Sequence, residues 1–175
     1  MKIPVRKLTY SAMSLALALV LPFLTGQIPE IGSMLLPMHL PVMLCGFLCG
    51  WPYGLVVGVI APLLRHAIFS MPPLMTAIPM AFELAAYGAI CGLMYHLLPK
   101  KLPMLYVDLI AAMLGGRVLW GVVRYVMMGL GGSEFSLAAF WAAGFAQAVP
   151  GIIVQLVLIP ILVAALRKAK LVPNE

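Results

Sequence analysis

Charge is what this sequence has least of. Only 9% of its residues are Asp, Glu, Lys or Arg while 64% are hydrophobic, and no polar tract is longer than a loop. Soluble domains carry about a quarter charged residues, so the shortage excludes that class. With a mean hydropathy of +1.11, the chain is expected to be an all-α integral membrane protein, a single membrane domain over residues 1–175. Cysteine is scarce too: Cys45, Cys49 and Cys91 all lie in apolar runs. They form no even-numbered framework. No further Cys or His follows the Cys45–Cys49 pair at ligand spacing, so no metal site is expected and all three read as buried small hydrophobes. There is no G-x-x-x-x-G-K-[ST] phosphate loop, so the chain is expected to bind no cofactor and any ATP must be used by a partner. Missing as well are G-x-S-G, H-E-x-x-H and paired-Glu motifs, which removes the intramembrane proteases; His66 and Glu83 could exchange a proton, but no enzyme is expected.

The charges that remain are placed informatively. Eight of the eleven basic residues fall in three clusters, Lys2, Arg6 and Lys7, then Lys100 and Lys101, then Arg167, Lys168 and Lys170. Each cluster flanks an apolar segment, so the formal charge of +6 reports cytoplasmic ends rather than a nucleic-acid partner. The other three, Arg65, Arg117 and Arg124, lie inside apolar segments.

Six spans are expected, at about 8–24, 37–49, 53–69, 79–98, 104–128 and 137–166, with both termini cytoplasmic. The first is too long and too apolar for a cleaved signal, and no small-x-small site follows it. The apolar stretch after Leu36 would reach about 50 Å as one helix, against a core of ~30 Å, so it must break. Gly50-Trp51-Pro52-Tyr53-Gly54 is the place, and the series Gly46, Gly50, Gly54 and Gly58 straddles it as a tight hairpin. Crossing residues 34–69 only once would put Lys100 and Lys101 outside. Pro150 and Pro160 are expected to kink a long last helix. In the first span Ala12 and Ala16, with Ser11 and Ala18 nearby, make a small-residue face suited either to internal packing or to docking another subunit.

Topology gives the polar residues a depth, and it gathers them in the outer half. Arg65 and His66 lie near the outer end of the third span and Glu83 about a turn into the fourth; Gln147 lies about ten residues into the sixth. Arg117, Trp120 and Arg124 share one helix face at i, i+3 and i+7, as do Glu83 and Tyr87 at i, i+4. Lipid-facing arginines would cost roughly 3 kcal/mol, so these faces point inward. They line either a binding cavity with excess positive charge or an internal salt bridge in which Glu83 neutralises Arg65 or Arg117. His39 is either an interfacial hydrogen-bonding group or a ligand contact. Asp108, near the cytoplasmic end, is expected to pair with Lys100 or Lys101. The Pro-rich connection after Phe69 is a candidate lid.

Six spans with an Ala-rich first helix, SAMSLALA, and the stretch LPVMLCGFLCGWPYGLVVGVIAPLLR resemble the substrate-binding S component of energy-coupling factor (ECF) vitamin transporters. The resemblance covers the whole chain. It implies a subunit in a prokaryotic cell membrane that captures a micronutrient from outside. It also implies a membrane coupling subunit docking on Ala12 and Ala16, and two cytoplasmic ATPases that drive uptake. Metal-type members begin with Met-His, whereas Met38-His39 here is internal, which argues against that branch. An Arg/Glu/Gln/Trp set suits a flat heteroaromatic ring with amide or carboxylate edges, such as a pterin or deazaguanine. A stand-alone carrier or channel is the alternative, although no internal repeat supports it.

Overall fold

A computed structural model describes residues 5–25, 34–130 and 148–169. Among them all regular structure is helical: α1 Val5–Val20, continued by a 3-10 turn Leu21–Thr25, α2 His39–Cys49, α3 Trp51–Phe69, α4 Leu74–Leu97, α5 Leu102–Leu130 and α6 Val149–Lys168. Five of these are long and apolar enough to cross a membrane. The exception is α2, whose 11 residues span only about 16 Å, roughly half the hydrocarbon core.

The helix ends follow from local chemistry. Gly50, at φ 95°, is the single residue between α2 and α3, a conformation that a side chain would disfavour. Pro52 stands in the first turn of α3, where its missing N–H would have had no helical partner. The expected break is therefore where the composition put it. The fourth span differs, because α4 begins at Leu74 and carries Pro79 inside it. Proline ends helices in water but is tolerated within buried or membrane helices, where neighbouring helices compensate. Likewise Pro150, expected as a kink, stands in the first turn of α6; the expected earlier part of that span, 137–147, lies outside the described residues.

Cys49 donates to the Lys7 carbonyl and Arg167 to the Lys100 carbonyl. The start of α1, the α2–α3 turn, the α4–α5 connection and the end of α6 thus gather at one end, which carries the basic residues. Measured from that end, the short α2 delivers His39 to roughly mid-bundle. The non-helical residues leading into it are buried at Leu36 and Met38, as irregular backbone at such depth must be. Gly151 of α6 permits this entry, since a Cβ there would stand 2.5 Å from the Met34 carbonyl oxygen.

The bundle is organised on α4, which packs against α2, α3 and α5. Its contact with the α2–α3 hairpin is a glycine seam. A Cβ on Gly46 or on Gly54 would each come within 2.5 Å of the Gly88 carbonyl oxygen, so the backbones touch directly, the close approach that small residues permit in membranes. Apolar side chains face outward instead: Val107, Ile110, Leu114, Val118 and Val122 form an exposed stripe down α5. Small residues of α1 divide between two faces. Ser11, Ser14 and Ala18 are buried, while Ala12 and Ala16 are exposed.

Candidate functional site

Inside this bundle lies a cluster of buried polar groups built from three helices. His39 opens α2, Glu83 and Tyr87 lie one turn apart on α4, and Arg117 comes from the middle of α5. One carboxylate oxygen, Glu83 Oε1, collects them: Arg117 Nη1 at 3.0 Å, the Tyr87 hydroxyl donating at 3.2 Å and His39 Nε2 at 3.4 Å. The His39 and Tyr87 rings meet edge to face at 5.1 Å. Gly116 lets α5 approach closely enough, because a Cβ there would lie 2.9 Å from the Tyr87 ring. All four side chains are essentially buried.

The ion pair leaves donors over. Among the described residues, Arg117 Nε and Nη2 are buried without a hydrogen-bond partner, and so are both ring nitrogens of His39, Nε2 only approaching Glu83. Those two guanidinium nitrogens form the side-on edge of Arg117, the fork that takes a carboxylate or a similar pair of acceptors bidentately. Chemically, the cluster holds a charge-compensated arginine whose second edge keeps its hydrogen-bond donors unused.

The other expected site residues fall at different places. Trp120 is buried on the Arg117 face, one turn on, and the Arg124 guanidinium lies over its ring at 5.3 Å from the centroid. Arg65 is not brought to Glu83. It is buried between Phe23 and Phe69, at 4.9 and 5.3 Å from their centroids, and donates to the Leu19 carbonyl, fastening α1 to α3. His66 Nδ1 stands 2.8 Å from the Pro72 carbonyl oxygen and so tethers the α3–α4 connection. Gln147 lies outside the described residues.

The family model described as "ECF transporter, substrate-specific component" matches residues 6–163. The chain belongs to that family. No curated protein and no solved structure matches it. As a substrate-specific component it is a membrane-embedded, multi-pass transporter subunit, and the family's role is not enzymatic. The resemblance drawn from the sequence is thus confirmed at the level of the family.

Two buried polar residues of this S component escaped the sequence reading of the site. Gln155 on α6 is 1% exposed with its amide nitrogen unpartnered. It is the only polar side chain between Val149 and Leu166, and that isolation was the available signal. Asp108 was expected to pair with a lysine, yet neither carboxylate oxygen has a hydrogen-bond partner. It shares a small recess with Lys100, Lys101 and Arg167.

Proposed function

We propose that this S component captures a vitamin-like, heteroaromatic micronutrient from outside the cell, with the Arg117 fork as the anchor for its carboxylate or carbonyl edge. The observation that carries this reading is the buried Nε/Nη2 edge of Arg117, without a hydrogen-bond partner among the described residues. An unmet charged donor pair at such depth calls for an acceptor. Glu83 and Tyr87 hold the arginine, His39 Nδ1 offers a further hydrogen-bonding position, and Trp120 with Arg124 supplies a flat wall for a ring. Arg65 and Gln147 stay candidate contacts; Arg65 would have to leave its aromatic pair to serve.

Uptake follows from partners. The chain lies with both ends cytoplasmic, the exposed Ala12 and Ala16 face meets a membrane coupling subunit, and two cytoplasmic ATPases drive the cycle. Support for the docking face comes from α1 turning Ser11, Ser14 and Ala18 inward while leaving those two alanines outside.

The test is mass spectrometry of the small molecule that stays with the purified chain. Wild type is expected to retain one compound bearing a carboxylate or amide edge, and Arg117→Ala to lose it while remaining monodisperse. Equal retention by both would refute the pocket and leave the Glu83–Arg117 pair as a purely internal brace, a reading that the 3.0 Å contact also favours. Uptake into vesicles by this chain alone would instead support a stand-alone carrier or channel and remove the coupling subunit and ATPases.

A further inference from the structure

Another recess lies away from the mid-bundle Arg117 cluster. It is a cavity of about 270 Å³ at the basic end of the bundle, where α1, the α2–α3 turn and the α4–α5 connection converge. Lys7, Lys100 and His96 line it together with the aromatic rings of Trp51, Tyr53 and Tyr95. The Lys100 ammonium lies 5.8 Å from the Tyr95 centroid. Among the described residues no acidic one contributes to the lining.

Helix ends meet at the cavity as well. Gly50, Trp51, Pro52 and Tyr53 place the N-terminus of the 19-residue α3 at this cavity, and no side chain caps it. The last turns of α2 and α4 end at the same recess, so the helix ends offset one another and Lys7 and Lys100 are what supplies the positive charge an anion of phosphate type requires. Trp51, at the mouth, is 49% exposed and Leu97, beside His96, is 70% exposed. In a multi-pass membrane protein those surfaces face the interface and the acyl chains, not bulk water. A ligand suited to both features has a phosphate head and an apolar tail.

We propose that this cavity seats the headgroup phosphate of an anionic phospholipid, with Lys7 and Lys100 as its cationic ligands and the outer faces of α3 and α4 as the track for its chains. The site is independent of the substrate pocket: it uses none of His39, Glu83, Tyr87 or Arg117. Bound lipid would fix the basic end of α1 against the α4–α5 connection.

The test is native mass spectrometry of the full chain released from neutral detergent, offered phosphatidylglycerol and phosphatidylcholine of matched acyl chains. Phosphatidylglycerol is expected to be retained in preference, and Lys7→Gln with Lys100→Gln to reduce that retention about tenfold. The control pair Lys101→Gln with Lys168→Gln, which changes net charge equally but lies off the cavity, is expected to keep it. Lys7→Arg with Lys100→Arg is expected to retain the lipid, which guards against a misfolded Gln variant. Equal retention of the two lipids overturns the proposal. So does an equal loss in both Gln pairs, which would mean diffuse surface charge, or displacement of the lipid by inorganic phosphate at the same concentration. Unchanged lipid retention with loss of a co-purifying membrane subunit would overturn it in favour of a protein interface.

Discussion

Two arginines are buried in this apolar bundle, and their surroundings differ in kind. Arg65 is enclosed by two aromatic faces and a backbone carbonyl that joins α3 to the end of α1. Arg117 meets a carboxylate with one edge and nothing with the other. Both avoid lipid, yet only one has finished its bonding. The first cation acts as a fastener, its charge spread over rings and a carbonyl within the chain. The second is neutralised but not saturated: two of its guanidinium nitrogens are buried without a hydrogen-bond partner.

The difference is sharpened most by removing the counter-ion. Glu83→Ala strands Arg117 in the bundle and is expected to destabilise it by about 3–5 kcal/mol, the usual consequence of breaking a buried pair. Thermal unfolding in detergent reads this directly. Glu83→Met combined with Arg117→Met should recover most of that loss while abolishing ligand retention; recovery of stability with retention intact would make Arg117 a fastener like Arg65.

Next in size is Arg117→Lys, which keeps a cation and deletes the fork. Affinity for the retained ligand is expected to fall by roughly 1.5–3 kcal/mol, the worth of a charged hydrogen bond, with little change in melting temperature. The mirror experiment is Arg65→Lys. A compact ammonium cannot lie between Phe23 and Phe69 as a planar guanidinium does, so stability is expected to drop by about 1–2 kcal/mol with affinity unchanged. If Arg65→Lys weakened binding and Arg117→Lys did not, the roles would be exchanged. The smallest effect is expected at Gly116→Ala, where the new methyl presses on the Tyr87 ring and disturbs the pair by about 1 kcal/mol, seen as a modest loss in ligand affinity.

Much of this contrast was readable from residue spacing, and the unreadable part has a physical reason. Helical periodicity placed Glu83 with Tyr87 and Arg117 with Trp120 and Arg124 on shared faces, and charge scarcity made each of them conspicuous. Gly50 and Pro52 marked the α2–α3 break because their backbone preferences act locally. Depth could be counted along each helix, but the direction in which a helix turns its face could not. Arg65 and Glu83 lie near the same connection on consecutive helices, and nothing in their spacing says that Arg65 faces α1 while Glu83 faces α5. The same limit hid the division of the first helix, where Ser11 and Ala18 turn inward and Ala12 and Ala16 outward. Pro79 misled for a different reason: a rule learned in water overstates how firmly proline stops a helix that its neighbours enclose.

The glycine seam has a mechanical consequence. Where backbones touch without intervening side chains there is no rotamer to yield, so α2, α3 and α4 must move as one slab. His39, Glu83 and Tyr87 are all mounted on that slab, whereas Arg117 rides on α5. The ion pair therefore spans from that slab to α5, and separating the two means stretching it. A probe pair spanning α4 and α5 would register such a separation, while one spanning α3 and α4 would stay mute.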